Sequence, residues 1–100
     1  MKKVQVIWTD ESLKDLEVIY DFIAEQSAKS ATKIIQSILS RTRQLEAFPQ
    51  SGSPQETASK IKREYRYLVE GNYKIIYSLD EKSLYVEAVI DTRKNPTKLK

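Results

Sequence analysis

The chain has 100 residues, of which 40% are hydrophobic and 31% charged, with two glycines, three prolines and no low-complexity tract, a composition that fits one ordered domain around one core. It has no cysteine and no histidine, which excludes disulfide frameworks, thiolate nucleophiles, Cys/His metal sites and any chemistry that needs an imidazole. The net charge of +3 is unevenly spread: residues 60–66 and 93–100 hold eight of the seventeen basic side chains against one acid, Glu64, so a polyanionic partner is expected for those two stretches.

In chain order, Lys3 to Trp8 alternates, with Val4, Val6 and Trp8 on one face, and this predicts a half-buried strand. The apolar run is too short for a signal-peptide core or a membrane span, so the cytoplasm is the expected location. Thr9 is placed to cap a helix over about residues 10–26, with Asp10, Glu11 and Asp15 near its positive end and Leu13, Leu16, Tyr20 and Ile23 at three-and-four spacing, a stripe widened by Ile19 and Phe22. The stripe stops around Gln26 to Ser30, where serines offer a new cap. A second stripe then runs through Ala31, Ile34, Ile35, Ile38, Leu39, Thr42 and Leu45 and ends before Phe48-Pro49, so the two helices form an antiparallel hairpin.

Residues 49–60 gather two prolines, a glycine and three serines without periodicity and read as a surface loop. From Arg63 the period returns to two, and turns at Gly71-Asn72 and Asp80 to Ser83 divide the remainder into a three-stranded antiparallel meander. Tyr65, Tyr67 and Val69, then Tyr73, Ile75, Tyr77 and Leu79, then Leu84, Val86, Ala88 and Ile90 are expected to face the helices. The opposite face would hold Glu64, Arg66, Leu68, Lys74, Ile76, Tyr85, Glu87, Val89 and Asp91. The expected class is therefore α+β in the order β-α-α-β-β-β, with a basic tail over residues 93–100.

Five stretches carry a resemblance. They are Val6-Ile7-Trp8-Thr9; Lys14-Asp15-Leu16 with Ile19-Tyr20; Leu45, Phe48-Pro49 and Gly52 closing the second helix; the run from Arg66 through Leu68-Val69, Gly71, Tyr73 and Ile75-Ile76 to Tyr77; and Val89 to Pro96. In this order and spacing the chain resembles the RelE/ParE superfamily, the growth-inhibiting toxins of type II toxin-antitoxin modules, with which plasmid stabilization is associated. Many of these residues also serve the fold alone, since Phe48-Pro49 ends a helix and Gly71 supplies a turn conformation.

The resemblance implies one of two activities on a shared scaffold: inhibition of DNA gyrase, as in the ParE branch, or ribosome-dependent mRNA cleavage, as in the RelE branch. A metal-free nuclease needs a base, an acid and cations for the phosphate. Arg66 stands where RelE-like nucleases commonly place a phosphate-contacting arginine, and Tyr85, Glu87 and Arg93 would have to complete the site. However, the histidine or tyrosine such nucleases commonly carry near the C-terminus is missing from the segment after Ile90, and ordinary tyrosines and carboxylates have pKa values far from neutrality. The alternative for Arg66 is a solvated surface arginine paired with Glu64 or Glu87.

A target surface is expected from Lys62, Arg63, Arg66, Arg93, Lys94 and Lys98. A cognate antitoxin is expected to cover the outer helix faces and the apolar group Ile7, Leu68, Ile76 and Val89, with Trp8 in the core. Operator DNA would be reached only through the antitoxin, and no cofactor, metal or membrane is implied. The gyrase reading is preferred because it needs a shaped, charged surface and no acid-base pair. A third reading is a non-toxic module that only binds antitoxin.

Overall fold

The computed structural model describes residues 3–55 and 63–93. The elements are β1 (Gln5–Trp8), α1 (Asp10–Ala24), α2 (Ala28–Arg43) continued by a 3-10 turn over Gln44–Glu46, β2 (Ser53–Pro54), β3 (Glu64–Glu70), β4 (Tyr73–Leu79) and β5 (Ser83–Asp91). They form a mixed α+β fold in which one five-stranded sheet, ordered β1-β5-β4-β3-β2, carries the helix hairpin on one face. The β1–β5 pair is parallel and the other three pairs are antiparallel. Among the described residues no helix is long and apolar enough to cross a membrane.

Local chemistry sets the helix limits. The Thr9 hydroxyl accepts from the Ser12 amide at 3.1 Å and donates to the Val86 carbonyl at 3.0 Å, so one side chain caps α1 and ties its start to β5. The Ser27 hydroxyl accepts from the Ser30 amide at 3.1 Å and starts α2, while Arg41 and Arg43 in its last turn complement the helix dipole. Helix α1 stops at Ala24, shortly after its last core residue, Ile23, because further turns would bury nothing. Leu16, Ile19, Ile38 and Leu45 meet Ile75, Tyr77, Leu84 and Val86 in the core, with Val6 and Trp8 packed alongside.

Three expectations need correction. The stretch after Pro49 is not wholly a loop, because Ser53 and Pro54 pair with Tyr67 and Arg66 and make a short edge strand, a place where proline is tolerated. Its residues 56–60 lie outside the described residues, as do Lys62, Lys94 and Lys98.

The faces of β3 are also the reverse of those expected. Leu68 pairs with Ile75 and Arg66 with Tyr77, so Glu64, Arg66, Leu68 and Glu70 share the helix side, and Tyr65, Tyr67 and Val69 point away from it. Leu68 is 6% exposed and Val69 51%. A two-residue turn at Gly71-Asn72, where Gly71 has φ of +59°, makes Glu70 and Tyr73 direct partners, and that parity outweighs the stronger alternation of the tyrosines.

In β5 the expected faces hold only as far as Val86. Ala88 pairs with Ile76 and Val86 with Tyr77, so Glu87 is an extra residue in a bulge and the alternation shifts beyond it. Val89, only 4% exposed, and Asp91 then take the helix side, leaving Ala88 and Ile90 on the other. Leu68 and Val89 are thus core residues, not part of an exposed antitoxin-binding group. Past the end of β1, the Val89 amide donates to the Asp15 carboxylate at 2.9 Å, which satisfies an edge group that would otherwise lack a strand partner.

The corrected faces predict unequal costs at neighbouring positions. Leu68→Ala should lose about 2–5 kcal/mol of stability, whereas Val69→Ala should stay within about 1 kcal/mol, as read from urea unfolding. Equal losses would mean that the faces of β3 are wrong.

Candidate functional site

The residues named from sequence fall into three places. Arg66 lies on the helix side of β3, in register with Tyr77. Its guanidinium donates to the Gly52 carbonyl at 2.7 Å and forms an ion pair with Glu64. Beside it, the Tyr77 hydroxyl accepts from the Gly52 amide at 3.0 Å and donates to the Pro49 carbonyl at 2.9 Å. Burial pushes the Tyr77 phenol above its ordinary pKa, against a smaller downward influence of the Gly52 bond and Arg66. A side chain at position 52 would meet the Tyr77 oxygen at 2.5 Å and the Tyr67 carbonyl at 2.6 Å, so glycine is needed for this close approach.

Arg66 is therefore committed to holding the helix exit against the sheet. Its pairing with Glu64 agrees with the structural alternative for this arginine, but its place on the helix side does not agree with an exposed sheet face.

Tyr85 and Glu87 belong to a different group. Tyr65, Ser78 and Tyr85 are paired across β3, β4 and β5 on the face away from the helices, opposite to Arg66. There the Arg63 guanidinium lies 4.8 Å from the centre of the Tyr85 ring and 3.7 Å from the Glu87 carboxylate, which also accepts from the Ser78 hydroxyl at 2.7 Å. The Lys74 ammonium sits 4.3 Å from the centre of the Tyr67 ring on the same face. Half-buried Ile7 and Ile76 complete a surface that alternates aromatic, aliphatic and cationic groups.

Arg93 forms the third group, at the far end of β5. It is bound to Asp91 through Nη2 at 3.0 Å and approaches the Tyr73 hydroxyl at 3.4 Å, while Thr92 donates twice to the Asn72 carbonyl, through its amide and its hydroxyl. Burial, then the Asp91 charge, raises the Tyr73 pKa, and Asp91 in turn holds Arg93 in its charged form. No single cleft gathers Arg66, Tyr85, Glu87 and Arg93. Leu13 and Phe22, which the spacing placed in the apolar stripe of α1, instead point outward together with Val18, and Phe48 does so at the helix exit. Val18 and Phe22 stand at i,i+4 spacing, a signal visible in the sequence but masked by the stronger stripe through Leu16 and Ile19.

Residues 6–96 match the family model described as ParE toxin of type II toxin-antitoxin system, parDE. Among proteins of curated function, none matches the sequence significantly. The fold is similar to a structure titled as the chromosomal ParDE TA system from P. aeruginosa, with a TM-score of 0.75 and 20% identity over 89% of this chain and 96% of the other. It is more distantly similar to the YoeB dimer from Staphylococcus aureus, with a TM-score of 0.51 and 11% identity over 86% and 93% of the two chains.

The hydroxyl lock predicts both a stability loss and a pH dependence. Tyr77→Phe strands the Gly52 amide and the Pro49 carbonyl and should cost about 1–3 kcal/mol in urea unfolding at neutral pH. A phenol whose pKa is raised by folding contributes stability that is complete below its unfolded value, near 10.0, and is lost as pH rises through the higher folded value. Stability of the parent chain should therefore fall above pH 10 more steeply than that of Tyr77→Phe, and parallel curves would disprove the assignment.

Proposed function

The chain belongs to the family of ParE toxins of type II toxin-antitoxin systems, and on that premise we propose that it inhibits growth by acting on DNA gyrase in the cytoplasm, restrained by a cognate antitoxin. The observation that carries the choice of target is the fate of Arg66. The arginine that the nucleolytic reading sets against the phosphate is bound to the Gly52 carbonyl and Glu64 on the helix side, across the sheet from Tyr85. Phosphate stabilisation needs donors preorganised toward the reacting group, beside an acid and a base. Inhibition by binding needs only a complementary surface, and Arg63 and Arg93 offer side chains that remain partly open to solvent.

The antitoxin surface is reassigned on the same reasoning. With Leu68 and Val89 in the core, α1 offers an exposed apolar pair, Val18 at 61% and Phe22 at 52%, and the outer sheet face adds half-buried Ile7 and Ile76. An antitoxin segment that folds on binding would cover the α1 pair with its own apolar side chains. Operator DNA contacts would then come from the antitoxin.

Induction of the chain alone in a bacterium, with growth, DNA-damage response and mRNA integrity read together, tests the target. Arrest with DNA damage is the expected result; codon-phased mRNA cleavage with intact DNA would replace gyrase by the ribosome, and unimpeded growth would leave an antitoxin-binding module. Arg66→Ala should reduce toxicity only in proportion to the folded protein that remains, because its loss is one of about 1–3 kcal/mol in stability. Val18→Asp combined with Phe22→Asp should leave toxicity intact while weakening antitoxin binding by at least about tenfold, measured by titration with the purified antitoxin.

A further inference from the structure

A cleft of about 690 Å³ opens at the end of the sheet where the helix exit meets the β4–β5 turn. Val4, Phe48, Pro49 and Leu79 supply apolar surface, and three carboxylates, Glu64, Asp80 and Glu81, line it as well. Among the described residues that line it there is no basic side chain. The sign is notable in a chain whose net charge is +3.

The cleft is built rather than incidental. The Phe48 amide donates to the Gln44 carbonyl at 3.0 Å and its carbonyl accepts from the Ser51 amide at 3.1 Å, while the Val4 amide donates to the Glu46 carbonyl at 3.1 Å. The Tyr77 and Arg66 bonds described above fix the next residues, from Pro49 to Gly52. Across the cleft, the Asp80 carboxylate accepts from the amides of Lys82 and Ser83 at 3.0 and 2.9 Å, which hold it in place and favour its charged form. Glu64 is held by Arg66. Both walls and two of the three charges are thus positioned without a ligand, so binding would cost little ordering.

Phe48 is not among the residues of the core or those packed against it. A phenylalanine at a helix exit ordinarily packs back as a staple, yet Phe48 is 63% exposed, more than the other large hydrophobics among the described residues. Apolar walls call for an apolar side chain, and a carboxylate edge calls for cations beside it. We propose that this cleft docks a segment of a partner protein in which an aromatic or branched aliphatic side chain is flanked by lysines or arginines. The proposal does not rest on the gyrase reading, because the cleft lies at the Leu79 end of β4, whereas Arg93 lies at the Tyr73 end.

The test is a titration of the isotope-labelled full chain with the peptide acetyl-GKKFKKG-amide, followed by amide chemical shifts. The expected result is a dissociation constant of about 0.1–1 mM, with shifts centred on Phe48, Ser51 and Glu81. Phe48→Ser and Glu81→Lys, both at exposed positions, should each weaken binding at least about tenfold without changing the melting temperature. Equal binding of acetyl-GKKSKKG-amide, equal binding of acetyl-GEEFEEG-amide, or shifts confined to the outer sheet face would overturn the proposal. The sequence itself places Leu99 between Lys98 and Lys100. If a chain ending at Arg93 bound the peptide at least ten times more tightly than the full chain, the occupant would be this chain's own end and the partner assignment would fail.

Discussion

Much of this structure hangs on one hydroxyl group. The Tyr77 oxygen, deep in the central strand, bridges the Gly52 amide and the Pro49 carbonyl and so draws the segment after α2 back onto the sheet. In a buried setting a neutral bond of this kind is strong, and a missing partner is costly. Arg66 adds a charged bond to the Gly52 carbonyl, and the next two residues, Ser53 and Pro54, pair along β3. Helix exit, edge strand and the wall of the acidic cleft therefore share one point of attachment, which only glycine at position 52 lets the backbone reach.

That attachment also separates architecture from function. A fold does not dictate a function, so the residues that bear the fold are distinct from those that meet a target. Here an arginine that looks functional in one dimension is architectural in three. The cationic and aromatic side chains on the outer sheet face, the Arg93 cluster at one end and the acidic cleft at the other are the surfaces that can differ in purpose without disturbing the core. Because β4 runs between those two ends, the surfaces of opposite sign are held apart by a rigid strand rather than by a loop.

Helices were the most legible part of the sequence, because a stripe such as Ala31, Ile34, Ile35, Ile38 and Leu45 has one consistent reading at 3.6 residues per turn. Strand β4 was equally clear, since Tyr73, Ile75 and Tyr77 bury as their alternation suggests. Strand β3 misled because both of its faces carry apolar residues, and the deciding constraint was the two-residue turn at Gly71-Asn72, whose arithmetic couples its parity to that of β4. The bulge at Glu87 had no such signal, because Val86 and Ala88 alternate as an unbroken strand would. The two-residue strand β2 is too short to show a period, and its cause lies in the distant Tyr77 and Arg66. For the site, the pairing of Arg66 with Glu64 was legible two residues away, while the Gly52 carbonyl fourteen residues distant was not. The parting of Arg66 from Tyr85 followed from the same missed parity.

The position of β5 has a consequence for the order in which the molecule can come into being. It lies between β1 and β4, so β1, which is made before the other described strands, has no neighbour in the sheet until β5 has also emerged from the ribosome. The helix hairpin and the β3–β4 hairpin can form from local contacts during synthesis, but joining the chain's first strand to the sheet requires closing a loop of more than seventy residues. The Thr9 bond to Val86 and the Asp15 bond to Val89 wait on the same event. A sheet built in this way stays unfinished until its two most distant strands meet, so its surface is completed only when β1 docks on β5.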